Sequence, residues 1–145
     1  IFLGTRAVAS SMEKSGGGSI INLASMAAKQ GSGSYGSAYS FSRGGMHNFT
    51  MSSALQLSQL GIRVNTIMPG WVHTPFTDYL YSDPEQSKYR TDRVPLRRWG
   101  KPDDIAGGIL FLASEDASYM TGAELLMDGG VSAGSVRPAN PKASE

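Results

Sequence analysis

The sequence predicts a doubly wound α/β sheet, with parallel strands and helices on both faces. Three observations carry this. "SIINLAS" and "IRVNTIM" are short runs rich in branched apolar residues, the pattern of strands buried on both faces of a parallel sheet. Segments with helical apolar spacing alternate with them, as in βαβ units. Glycine and proline sit where one kind of segment gives way to the other.

The elements follow in order. "IFLGTRAVASSMEK" reads as a helix with Phe2, Ala7, Val8 and Met12 near one face. "SGGG" stops it, and "SIINLAS" is the first strand, ended by Ser25. "MAAKQGSGSYG" is a polar, Gly-rich loop. A helix is expected from Ser37 to Leu60, with Gly61 at its C-terminal cap. "IRVNTIM" is the second strand, broken sharply by "PGWVHTP". Residues 76–100 show no clear period and read as an irregular, lid-like segment. "KPDDIAGGILFLAS" is a helix with Pro102 at its first position and Asp103 and Asp104 in its first turn. "GAELLMDGG" is the third strand and turn, and residues 135–145 form a polar tail.

Composition excludes several functions. The 145 residues suffice for one domain with a real core. A net charge of +1 without a basic block gives no footprint for nucleic acid or an anionic membrane. The longest apolar run, near "ILFLA", is too short to span a bilayer. With no cysteine, disulfides and thiolate metal sites are excluded, and the cytoplasm is the expected compartment. No set of side chains has metal-ligand spacing, so no catalytic metal is expected.

Ligands of such sheets bind beyond the carboxyl ends of the strands. Two loops meet there, "SMAAKQGSGSYG" and "PGWVHTP". The helix leaving the first loop opens with "AYSFSRGG", in which Tyr39 and Arg43 are four residues apart. That spacing places a phenol and a cation on one helix face, about 40° apart. Free tyrosine, with a pKa of about 10, is a poor base at neutral pH. A neighbouring cation favours the phenolate. Ser25 can hold a carbonyl or alcohol oxygen, and Tyr39 can exchange a proton with it. A hydride donor would complete a redox reaction.

Ser25, the stretch Tyr39-Ser-Phe-Ser-Arg43, "GIRVNTIMPGWVHTP" and "PLRRWGKPDDIAGGILFLASEDASYMTGAELLMDGG" together resemble the C-terminal half of the short-chain dehydrogenase/reductase family. The resemblance implies a Rossmann-type fold, with residues 1–134 as the C-terminal part of one domain. It implies hydride transfer between NAD or NADP and a small carbonyl or secondary-alcohol substrate. Ser25 would orient the substrate, Tyr39 would be the general acid/base and would also contact the cofactor, and Arg43 would stand where the family has lysine, which binds the nicotinamide ribose. Pro69, Gly70, Val72 and Thr74 would contact the nicotinamide end of the cofactor. The family's Gly-rich loop, its "NNAG" segment and a catalytic asparagine would lie upstream of Ile1. Arginine keeps the charge but cannot deprotonate and is larger and planar. The resemblance also implies a homodimer or homotetramer, with the Tyr39 helix at a subunit interface. A 3-oxoacyl thioester reductase is the alternative within the class, and a non-catalytic relative the alternative outside it.

Simpler roles stand beside these. Tyr39 would otherwise be a half-buried helix aromatic, Arg43 a solvated charge and Ser25 a turn residue, with Ser32 and Ser34 in the same loop. Thr74 would be a helix N-cap before Pro75. His47 is expected on the helix surface, and His73 in the loop. Trp71, Phe76, Tyr79 and Tyr81 either line a substrate pocket or pack a lid onto the core. Gly44 and Gly45 each cost about 1 kcal/mol inside a helix, a cost that close helix packing would offset.

Overall fold

A computed structural model describes residues 1–31 and 36–134. Ser32, Ser34 and the 135–145 tail lie outside the described residues. The elements are α1 (Phe2–Lys14), β1 (Gly18–Leu23), α2 (Ser37–Leu57), β2 (Ile62–Pro69), α3 (Asp78–Tyr81), α4 (Pro84–Thr91), α5 (Pro102–Ala113) and β3 (Glu124–Met127). The three strands form one parallel sheet in the order β1-β2-β3. β1 and β2 run in register from Gly18↔Ile62 to Leu23↔Ile67. β2 and β3 run from Thr66↔Glu124 to Pro69↔Met127. All three strands therefore end at the same edge of the sheet.

Side chains along β2 alternate between two cores, as strand geometry requires. Ile62 and Val64 pack with Ala54 of α2, Ala9 and Met12 of α1 and Ile20 of β1. Ile67 points the other way, to Ile105 and Leu112 of α5 and to Ala117. Helices thus cover both faces, as the alternation in the sequence predicts.

Tight turns join the elements where glycine permits them. Gly61 closes the 3-10 turn after α2 with φ 69°. A Cβ on Gly17 would lie 2.3 Å from the Gly61 carbonyl oxygen, so the chain entering β1 and the chain entering β2 approach too closely for any side chain.

Several features differ from expectation. β1 ends at Leu23, and Ser25 lies beyond it, heading a 3-10 turn over Met26–Ala28. β1 is also less enclosed than an apolar strand implies. Leu23 is 50% exposed, and among the described residues β1 pairs only with β2. Residues 76–100, expected to be irregular, contain α3 and α4. Asp83 accepts hydrogen bonds from the amides of Glu85 (2.9 Å) and Gln86 (3.0 Å), with Pro84 at the first helical position. Glu85 in the first turn and Lys88 and Arg90 in the last complement the helix dipole. Among the described residues no helix is long and apolar enough to cross a membrane.

Candidate active site

The candidate residues lie on segments that follow β1 and β2, with Pro69 ending β2. The Ala24 amide donates to Ile67 O at 2.8 Å, which carries the β1–β2 ladder one step past the strand and sets the Ser25 turn beside the end of β2. Ser25 is half-buried, and its Oγ accepts from the Ala27 amide at 3.2 Å. The turn is closed by Ala28 N donating to Ser25 O and Lys29 N donating to Met26 O. It packs against α2, where the Ala28 carbonyl faces Gly44.

Tyr39 and Arg43 occupy the first two turns of α2, and the expected pairing is present. The guanidinium carbon lies 4.7 Å from the Tyr39 ring centroid, within the range for a cation–π contact. Arg43 is not a solvated charge. Its Nε is buried without a hydrogen-bond partner, and Nη1 donates to Met46 Sδ at 3.2 Å.

Gly70 follows β2, and its amide donates to Met127 O at 3.1 Å. A Cβ there would sit 2.7 Å from both Cα and Cβ of Asp128. The glycine thus serves a close approach between the chains leaving β2 and β3. Asp128 is itself fixed, its Oδ1 accepting from Gly130 N (2.9 Å) and its Oδ2 from Ser132 N (2.7 Å). Burial opposes ionisation of Asp128, but hydrogen bonds from Ser132 and Gly130 outweigh it and hold the carboxyl below its ordinary value. Val72 bridges to Gly100 and packs into the α5-side core. Thr74 is not a helix cap. Its Oγ1 lies 3.2 Å from Thr77 Oγ1, and Thr77, which precedes α3, in turn donates to Val72 O at 2.6 Å.

The aromatic residues after Gly70 divide. Trp71 and Tyr81 pack on Trp99, with centroids 5.8 and 5.4 Å away. Arg90 lies over Trp71 at 4.6 Å. His73 stacks on Tyr81 at 3.7 Å and meets Asp78 Oδ1 at 2.9 Å. Phe76 and Tyr79 are exposed. Trp71 thus packs on Trp99 while also lining a cavity with Val94, Leu96 and Met127, and Tyr81 packs on Trp99 while remaining exposed. His47 departs from its expected surface position. It is 19% exposed and lies 2.6 Å from Glu124 of β3, because the helix face that continues from Tyr39 and Arg43 turns toward the sheet.

A family model described as enoyl-(acyl carrier protein) reductase, adh_short_C2, matches residues 1–132. The human protein named dehydrogenase/reductase SDR family member 4 is 40% identical over 126 residues, 87% of this chain and 45% of that protein. The chain belongs to the short-chain dehydrogenase/reductase family. The L-rhamnose-1-dehydrogenase of Scheffersomyces stipitis is 42% identical over 131 residues, covering 90% of this chain and 50% of the relative. The crystal structure of a gluconate 5-dehydrogenase from Burkholderia cenocepacia, in complex with NADP and tartrate, superposes with a TM-score of 0.85 at 29% identity, covering 90% of this chain and 51% of that one. The chain spans about half the length of the curated relatives it matches.

The residues present fit the nicotinamide end of a dinucleotide. Arg43 carries a buried N–H with no acceptor, a donor that a ribose hydroxyl oxygen would satisfy. Its place, at the carboxyl ends of parallel strands, is where such sheets bind ligands.

Proposed function

We propose that this chain carries the catalytic half of an NAD- or NADP-dependent oxidoreductase acting on a carbonyl/secondary-alcohol pair. The Tyr39–Arg43 contact at the strand ends is the observation that carries the reading. A bound nicotinamide cofactor would supply or accept the hydride. Ser25 donates a hydrogen bond to the substrate oxygen. In reduction Tyr39 gives its phenolic proton to that oxygen as the carbonyl carbon gains hydride; in oxidation Tyr39 takes the proton back. Arg43 supplies the positive charge beside the phenol and donates to the ribose. Pro69, Gly70, Val72 and Thr74 border the nicotinamide end. The names of the relatives favour a polyhydroxylated substrate of sugar type, and the description of the family model favours an acyl-thioester reductase as the second reading.

Self-association belongs to the same proposal. Phe41 and Leu55 of α2 are 83% and 79% exposed, and a Cβ on Gly45 would meet nothing within 4 Å. Packing within the chain therefore does not account for this glycine, and a second subunit against α2, in a homodimer or homotetramer, would. A cytoplasmic location completes the reading. The test is NAD(P)H oxidation by the full-length gene product with a panel of aldoses, sugar acids, simple ketones and 3-oxoacyl thioesters. Turnover of one class at least tenfold above the others supports the reading and names the substrate. No turnover in either direction with any class contradicts it.

A further inference from the structure

Glu124 is a carboxylate in an otherwise apolar strand, "AELLM", with its side chain 20% exposed. Two groups from different parts of the chain converge on it. One oxygen contacts the Lys29 ammonium. The other lies 2.6 Å from His47 Nε2. Beneath them Thr66 pairs with Glu124 in the ladder, and Asn22 Nδ2 donates to Thr50 Oγ1 at 2.8 Å. Arg43, one helical turn before His47, is the other charged group on this face of α2. Glu124 is partly withdrawn from water, and its two contacts favour the arrangement that keeps Lys29 and His47 in place.

What those partners belong to gives the constraint its consequence. Lys29 closes the 3-10 turn headed by Ser25. His47 stands at i+8 from Tyr39 and i+4 from Arg43 on α2, so all three lie on one side of that helix. Glu124 sits on a hydrogen-bonded strand and ties both to it. We infer that Glu124, through Lys29 and His47, is a positioning residue that sets the Ser25 turn against the Tyr39 helix. It touches neither substrate nor cofactor, and the inference rests on the reading of Ser25 and Tyr39 given above.

The test uses the full-length gene product and its Glu124→Ala, Glu124→Gln, Lys29→Met and Tyr39→Phe variants. Misplacement of reacting groups by about 1 Å costs up to roughly a hundredfold. Glu124→Ala is expected to lower kcat about tenfold or more while the cofactor Kd stays within about twofold. Amide hydrogen exchange should quicken at 25–29 and 43–47 together. Glu124→Gln, which still accepts hydrogen bonds, should recover part of the rate. Lys29→Met removes a half-exposed partner without opening the core, so it reads the same effect if Glu124→Ala does not fold. A kcat within about twofold of the parent in Glu124→Ala and Lys29→Met overturns the inference. So does unchanged exchange in either segment, which needs no turnover to measure. If Tyr39→Phe retains activity, the reading of the site itself has failed.

Discussion

Replacing Gly70 by alanine tests the geometry that brings the ends of β2 and β3 together. The new Cβ would lie 2.7 Å from Asp128 Cα and Cβ and 3.0 Å from its carbonyl oxygen. Carbon atoms pack at about 3.5–4.0 Å, so close to an ångström must be relieved. The obstructing atoms are backbone and Cβ, and they are held. Asp128 is bonded to the Gly130 and Ser132 amides, and Gly70 N is bonded to Met127 O. Overpacking costs about 1–3 kcal/mol. Gly70 does not have a positive φ, so alanine regains roughly 0.4–1 kcal/mol by restricting the unfolded chain. The net loss is about 1–2 kcal/mol, or a fall in Tm of roughly 2–8 °C at this size. Urea unfolding followed by tryptophan fluorescence would read it, since Trp71 adjoins the site. Gly107→Ala is the control. Gly107 lies inside α5 with nothing within 4 Å of its Cβ, and alanine there should stabilise by up to about 1 kcal/mol. A Gly70→Ala protein as stable as the parent would refute the claimed approach of the two strand ends.

Other expectations concern charge, capping and the core. Arg43→Lys should preserve or raise turnover, whereas Arg43→Met should lose most of it, because the site needs a cation beside Tyr39; a methionine variant matching the parent in its pH–rate profile would make Arg43 merely structural. Asp83→Ala should cost about 1 kcal/mol as the α4 cap is lost, read as a lower urea midpoint. Ile67→Ala, at a fully buried position between β2 and α5, should cost about 2–5 kcal/mol. Asp104 is held well below the usual carboxylate range by the Arg98 guanidinium (2.7 and 2.8 Å) and the Lys101 amide (2.7 Å). A depressed folded value means its stabilisation is complete above the ordinary carboxylate value, about 3.9, and is lost as pH falls from there through the folded value. The Tm difference between parent and Asp104→Asn should therefore be constant near neutrality and shrink below about pH 4.

The fold was legible because its signals are local. Branched runs, helical spacing and glycine at junctions each act over a few residues, and they agree. The Tyr39–Arg43 contact was legible for the same reason, since the two share a helix at a spacing of four. α4 was missed although its signal was present. "DPEQ" carries an N-cap, a first-position proline and an acidic first turn, but the polar helix has no apolar stripe to reveal it. The Glu124 cluster was not legible, because Lys29, His47 and Glu124 are brought together only by the sheet. A carboxylate inside "AELLM" was the one hint, since a strand facing a helix needs a partner for such a charge. The sequence shows Gly70 only as part of the break after β2. Its close approach to Asp128 depends on a strand more than fifty residues later.

The central claim is that Tyr39 moves the proton, and the Tyr39→Phe variant of the full-length gene product tests it most directly. Phenylalanine keeps the ring and the contact with Arg43 and deletes only the hydroxyl. The measurement is the single-turnover rate of NAD(P)H oxidation with the best substrate of the panel, beside cofactor affinity and the circular dichroism spectrum. The account predicts a loss of about 10²–10⁴ in the chemical step, with the spectrum unchanged. A rate within about threefold of the parent, far short of what a missing general acid costs, would contradict it.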